Sequence, residues 1–372
     1  MDPELIVFFV LIIFLVFAAI QLFYYSIIFI RFVFFKASKD ISEIVPVSVV
    51  ICARNEAENL EKNLPLILKQ DFPDFEVVVV NDCSNDETED ILKRFKQEYK
   101  NLKTTFIKED EKFKHGKKLA LTVGIKSAKN EWILLTDADC IPESDQWISC
   151  MARQFSANVS IVLGYGGFTE TKSFLNKLIR FDAAIIALQY FSFALFGRPY
   201  MGVGRNLAYR RSLFFANKGF AAHARLESGD DDLFINEVSK SNHVVIEPSK
   251  LSHTRSEAKK TFKRWVEQKV RHFTTFSRYN KKDIYLLGTE NISRVVFYFS
   301  FVLLLIQQEY WIIAVSVFFV RLVLQLIVFK NTFKRLNERN LFIISPLFDL
   351  ILPFISLGIY LSNLLRPRSQ WR

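Results

Sequence analysis

The sequence contains no G-x-G-x-x-G and no Walker A pattern, which argues against a dinucleotide-binding fold and a P-loop enzyme. Its four cysteines, Cys52, Cys83, Cys140 and Cys150, lack the paired spacing of a structural metal site. They read as structural thiols, which a cytoplasmic domain keeps reduced. Internal repeats and low-complexity segments are absent too. Charge is missing over the 26 residues from Leu5 to Ile30. A cleaved secretory leader has a basic start and a shorter apolar core. Here Met-Asp-Pro-Glu comes first, and Arg31, Lys36 and Lys39 come after. The stretch therefore reads as a membrane anchor, long enough to span a bilayer with some tilt. The positive-inside rule then puts the middle of the chain in the cytoplasm.

What the sequence does have is hydrophobicity concentrated at its ends. Half of its 372 residues are hydrophobic, and 38 of them are Phe. Val295 to Phe329 is apolar except for Glu309 and Arg321, and Leu341 to Leu365 forms a further run. This predicts two helices turning near Gln308-Glu309, then the basic loop 330–340, then a last helix. Pro346 and Pro353 would permit that last segment to be broken or re-entrant. A full span would leave the three arginines of the 366–372 tail outside, so the expectation is three or four spans. The net charge of +10 fits an anionic membrane surface better than nucleic acid in a chain with such ends. Arg321 and Asp349 lie about 12 Å deep in their segments, at roughly 1.5 Å per residue. Buried intramembrane charges are usually paired, and these two are expected to pair.

Between the ends, strands and helices alternate. Strands are predicted at 46–52, 75–81, 104–107 and 132–135, with helices at 57–69, 87–98 and 117–128 between them. Less regular strands follow at 160–164, 206–210 and 243–247, with a helix at 231–240. The pattern predicts an α/β fold with a mostly parallel, doubly wound sheet. In such sheets ligands bind beyond the carboxyl ends of the strands. Those ends read ARNEAEN (53–59), NDCSND (81–86) and DAD (137–139), so three polar ends meet around one cleft.

An Asp-x-Asp pair at a strand end offers oxygen ligands to a hard cation such as Mg2+ or Mn2+. The segment KHGKKLAL (114–121) adds lysines and a helix start that can hold phosphate. Together they point to a metal–diphosphate site, because a departing nucleoside diphosphate needs its charge offset. A second acidic group, ESGDDDLFINEV (227–238), opens a helix. Capping favours Asp there, yet three in a row exceed what a cap requires. Crowded carboxylates raise each other's pKa, which suits a general base.

The ordered series VSVVICARNEAENL, VVVVNDCSNDETEDIL, GKKLALTVGIKSAKNEWILLTDADC, GRNLAYRR, GDDDLF and QKVRH resembles the family 2 inverting glycosyltransferases of GT-A fold. The likeness is to the membrane-bound branch containing cellulose and hyaluronan synthases, and it covers residues 46–275. It implies a Rossmann-like GT-A domain over 37–254, an anchor over 1–36, an interfacial helix over 255–282 and a membrane region over 283–372. Arg54, Glu56 and Asp82 fall where the family holds the base and ribose of the nucleotide. Lys117 and Lys118 fall near the diphosphate. Asp137 corresponds to the acid on the nucleotide side and Asp139 to the metal ligand. Gly204, Arg205 and Asn206 match the loop lining the sugar pocket. The base belongs in the GDDD run. Aligning on GDD picks Asp231, aligning on D-x-D-L picks Asp230, and Asp232 remains; Asp231 is preferred.

The segment 261–276 places Phe262, Trp265, Val266, Val270, Phe273 and Phe276 on one helical arc, with Gln268, Arg271 and His272 opposite. Residues 255–282 carry ten basic side chains against two acidic, as expected of an interfacial helix. The polar face resembles the Q-x-x-R-W motif of processive synthases, with His272 at the tryptophan position. Such an enzyme would use a nucleotide-sugar and a lipid or lipid-linked acceptor. Processive polysaccharide synthesis, a metal-dependent nucleotidyltransferase and a non-catalytic membrane scaffold are the competing expectations. The stretch 181–197 reads as a core helix, or as a segment dipping toward lipid.

Overall fold

A computed structural model describes residues 3–36, 45–108, 116–224, 226, 228–240 and 242–365. Lys39, Lys114, His115, Glu227 and the 366–372 tail lie outside these. The chain divides into two compact units, one of residues 36–171 and 197–258, the other of 1–35, 172–196 and 259–372. The domain expected over 37–254 is thus interrupted, because residues 172–196 group with the terminal helices.

The first unit is an α/β sheet. Its strands are β1 (Val47–Ala53), β2 (Phe75–Asp82), β3 (Leu102–Ile107), β4 (Trp132–Leu135), β5 (Ile141–Pro142), β6 (Ile161–Gly164), β7 (Gly166–Phe168), β8 (Leu207–Arg210), β9 (Val244–Glu247) and β10 (Thr254–Ser256). Seven of them form one sheet in the order β3-β2-β1-β4-β8-β6-β9. β1 runs parallel to both β2 and β4, pairing Val47 with Phe75 and with Trp132. β8 alone is antiparallel to its neighbours. The Val-rich runs of β1 and β2 are buried on both faces, as expected of parallel strands covered by helices. The helix Lys117–Ser127 lies close against them: a Cβ at Gly124 would come within 2.5 Å of Val50 and 3.0 Å of Val80. Only glycine permits that approach.

β5, β10 and β7 form a second, small sheet that the sequence pattern does not predict. Two or three residues are too few to show a period of two.

The second unit is helical. Among the described residues, five helices are long and apolar enough to cross a membrane: Glu4–Phe34, Phe174–Leu195, Lys281–Gln307, Trp311–Arg335 and Ser345–Ser362. The three or four expected spans become five candidates, since the stretch placed at 181–197 belongs to a helix of 22 residues. Gln308 adopts φ 58°, a left-handed cap that turns the chain toward Trp311 near the expected point. The last helix continues through Pro353 to Leu365, so proline does not break it. Phe14 stacks on Phe297 at 5.2 Å within a core that includes Val7, Leu11, Ala18 and Leu304.

Polar groups are buried among these helices. Arg321 pairs with Asp349 at 2.9 Å, the expected partner. The pair is not isolated. Arg294 reaches Asp349 at 3.0 Å and also pairs with Glu290. Tyr298 donates to Asp349 at 2.6 Å, and Gln21 accepts from Arg321 at 3.0 Å. The helix Phe174–Leu195 is held by two further pairs, Arg180 with Glu338 at 2.8 Å and Asp182 with Lys269 at 2.8 Å.

Candidate active site

The carboxyl ends of β1 and β2 are joined by their own loops. Asn55 N–H donates to Ser84 at 2.9 Å, Asn85 N–H to Asn55 at 2.8 Å, and Ala57 N–H to Asp86 at 3.1 Å. Asn55 and Cys83 both take positive φ, 56° and 54°, which lets each strand turn sharply at its end. Glu56 accepts from Asn59 at 2.5 Å, and burial raises its pKa. Arg54 on the same loop is exposed, whereas Asp82 is buried at the end of β2.

After β4 the chain presents Asp137, Asp139 and Cys140, whose potential ligand atoms lie within 4.8 Å of one another. Burial drives the Cys140 thiol well above its usual pKa, and a protonated thiol is a poor ligand. The two carboxylates remain, and an oxygen pair fits a hard divalent cation. Asp139 is itself shifted upward, first by burial and then by the charge of Asp137.

Lys117 joins two parts of the sequence. Its ammonium lies 2.8 Å from Asp137 and 3.1 Å from Asp230, so the DAD and GDDD acids belong to one cluster. Burial alone would lower the Lys117 pKa, but Asp137, Asp230 and Asp231 more than offset it and hold the lysine charged. Burial likewise opposes ionisation of Asp230, yet Lys117 reverses this and the net shift is downward.

Asp231 behaves differently. Burial, then the charges of Asp230 and Asp232, push its carboxyl up to about 7. Its Oδ2 accepts from Gly204 N–H at 2.7 Å and its Oδ1 from Asp232 N–H at 2.8 Å. Both oxygens are therefore oriented, and the group exchanges a proton near neutrality. That combination is what a general base needs.

Gly204 belongs to this cluster through its backbone: a Cβ there would sit 3.4 Å from Asp231 and 3.6 Å from Lys117. Arg205 donates to Gly167 O at 2.9 Å and to Ser256 at 3.1 Å, and its guanidinium covers Phe168 at 4.3 Å. Asn206 is wholly buried. It accepts from Trp147 at 3.0 Å and donates to Tyr165 O at 3.0 Å and Ser252 O at 2.7 Å. Both of its N–H donors are engaged inside the fold. Gln268, Arg271 and His272 lie on the helix Phe262–Phe276 in the other unit, where Arg271 and His272 are exposed. On that helix Phe262, Val266 and Val270 face a groove of about 290 Å³ shared with Ile355, Gly358, Ile359 and Ser362.

One neighbour of the acids gives no signal in sequence. His223 is nearly buried, and burial followed by the charge of Lys118 pushes it down to about 4. It stays neutral wherever Asp231 titrates. Glu143, held down at about 2 despite burial by His253 and Arg255, fastens β10 beside β5.

Residues 48–215 match the sequence profile of Glycosyl transferase family 2. The chain carries a family 2 glycosyltransferase domain. A poly-beta-1,6-N-acetyl-D-glucosamine synthase of Staphylococcus epidermidis is 30% identical over 142 residues, which is 38% of this chain and 33% of that protein. The glycosyltransferase AglE of Haloferax volcanii is 36% identical over 126 residues, 33% of this chain and 40% of that protein. The chain thus spans well under half the length of these relatives. The mannosyltransferase PcManGT of Pyrobaculum calidifontis, solved with GDP-Man and Mn2+, is 17% identical. It shares the fold with a TM-score of 0.63, over 96% of this chain and 99% of that one. The glycosyltransferase domain therefore has the GT-A fold, in a chain whose five apolar helices make it an integral membrane protein.

Proposed function

We propose that the protein transfers a sugar from a nucleotide-diphosphate sugar to a lipid or lipid-linked acceptor at the cytoplasmic face of a membrane, with inversion at the anomeric carbon. The reading rests chiefly on Asp231: a carboxylate with both oxygens oriented and a pKa of about 7, beside a lysine that bridges to the DAD acids. Asp231 takes the proton of the acceptor hydroxyl as its oxygen attacks the anomeric carbon. The bond to the diphosphate breaks on the opposite side, and the nucleoside diphosphate leaves.

Asp139, with Asp137, would hold Mg2+ or Mn2+, and the ion supplies charge compensation for the departing diphosphate. The Mn2+ with which the mannosyltransferase was solved supports this assignment. Lys117 keeps Asp137 and Asp230 together and adds a fixed positive charge on the same side. Arg54, Glu56 and Asp82 stand at neighbouring strand ends, where a nucleoside would be gripped. The interfacial helix Phe262–Phe276 carries exposed basic residues suited to an anionic lipid head group. Processive synthesis is the second reading, favoured by the name of the staphylococcal relative.

Nucleotide release by detergent-solubilised protein, measured over a panel of nucleotide-sugars with Mn2+ or Mg2+, tests the reading. Release that rises with a lipid extract and is lost in Asp139→Ala would support lipid-directed transfer. Long polymer in place of single additions would favour processivity. No release and no nucleotide binding with any donor would leave a scaffold.

A further inference from the structure

Lys117 and Lys118 are consecutive at the start of one helix, yet their ammonium groups have different partners. Lys117 meets carboxylates. Lys118 meets main chain: it donates to the carbonyls of His223 at 2.8 Å, Leu226 at 3.0 Å and Ser228 at 2.7 Å. An ammonium has three N–H donors and no acceptor. All three are used, and the residue is only 9% exposed, so no donor is left for a phosphate oxygen.

The three carbonyls belong to the segment that ends at Ser228, two residues before Asp230. Among the described residues of this stretch the regular structure is a single turn at Ala221–His223. Lys118, by contrast, sits on a helix packed against β1 and β2 through Gly124. We propose that Lys118 is a positioning residue that fastens the 223–228 segment to the central sheet and so fixes where the acid run begins. The assignment rests on the transferase reading for its catalytic consequence but not for its structural one. Without the ammonium, three carbonyls lose a charge-assisted partner, and such bonds are stronger than neutral ones. The segment would then hold Asp231 less closely in register with Gly204 and Lys117.

The test compares full-length Lys118→Met and Lys118→Gln with wild type, without donor and then with it. Hydrogen exchange is read on peptides around His223 and Ser228. About tenfold faster exchange there, with β1 and β2 unchanged, is expected for Lys118→Met, and a smaller change for Lys118→Gln, whose amide replaces part of the clamp. In turnover, kcat should fall by on the order of a hundredfold while nucleotide affinity stays within about twofold. Unchanged exchange would overturn the proposal, as would a tenfold weakening of nucleotide binding at unchanged kcat, which would make Lys118 a diphosphate ligand. If wild type transfers no sugar, the exchange comparison still decides the clamp, and only the transferase reading fails.

Discussion

Two clusters of charge among the described residues, one fully buried and one partly open, are built to opposite ends. Among the membrane-type helices, Glu290 and Asp349 face Arg294 and Arg321, acid matched to base, with Tyr298 and Gln21 completing the bonds. In the transferase domain, Asp137, Asp139, Asp230, Asp231 and Asp232 crowd around Lys117. Balance leaves each charged group with a partner and gives a fixed structure. Imbalance leaves one carboxyl, Asp231, at about 7 and able to move a proton. The same residue types thus make a fastening in one unit and a reactive group in the other.

The sharpest way to break the comparison is to remove one carboxylate from each. Asp231→Asn keeps the size of the side chain and deletes the base. The rate of transfer should fall by about 10²–10⁴-fold, the range for a lost general base, with nucleotide binding and the thermal midpoint nearly unchanged. Single-turnover transfer and calorimetry on the same preparation measure both. If stability fell as steeply as rate, Asp231 would be a structural acid, and the contrast would collapse.

Asp349→Leu should show the reverse. It strands Arg321 and leaves Arg294 with Glu290 alone, and a buried pair broken from one side costs about 3–5 kcal/mol. Unfolding in detergent, followed by tryptophan fluorescence, would register the loss. Exchanging the charges, Arg321→Asp with Asp349→Arg, should recover only part of it, because the guanidinium introduced on the last helix would face that of Arg294. Full recovery would mean that the two residues form an isolated pair.

What could be read in advance follows the same division between local and distant causes. β1 and β2 were legible because strands covered on both faces are apolar throughout, and the three polar ends were legible because they follow such strands. The helix Phe174–Leu195 was legible only in part. Lys177, Arg180 and Asp182 interrupt its apolar run, and the partners of Arg180 and Asp182, Glu338 and Lys269, are remote in sequence. Arg321 and Asp349 stand out against their apolar surroundings, whereas Glu290 and Arg294 lie in the polar run GTENISR and do not. The grip of Lys118 could not be read at all, since main-chain carbonyls leave no mark in a sequence.

The smallest expected effect is also the most specific. A base must be ionised, so transfer should rise with pH along a limb near 7, the value to which burial and neighbouring acids bring Asp231. The two influences on that limb have opposite signs. Asp232→Asn removes a like charge and should move the limb down. Lys117→Gln removes an opposite charge and should move it up, because the lysine opposes the shift. Each displacement should be about 0.5–1 unit, and one unit corresponds to about 1.36 kcal/mol between the protonation states. Profiles of kcat/KM against pH for the three proteins would measure it. Movement in the same direction for both variants would place the titrating group elsewhere, whereas opposite movement ties the limb to the unbalanced cluster and not to burial alone.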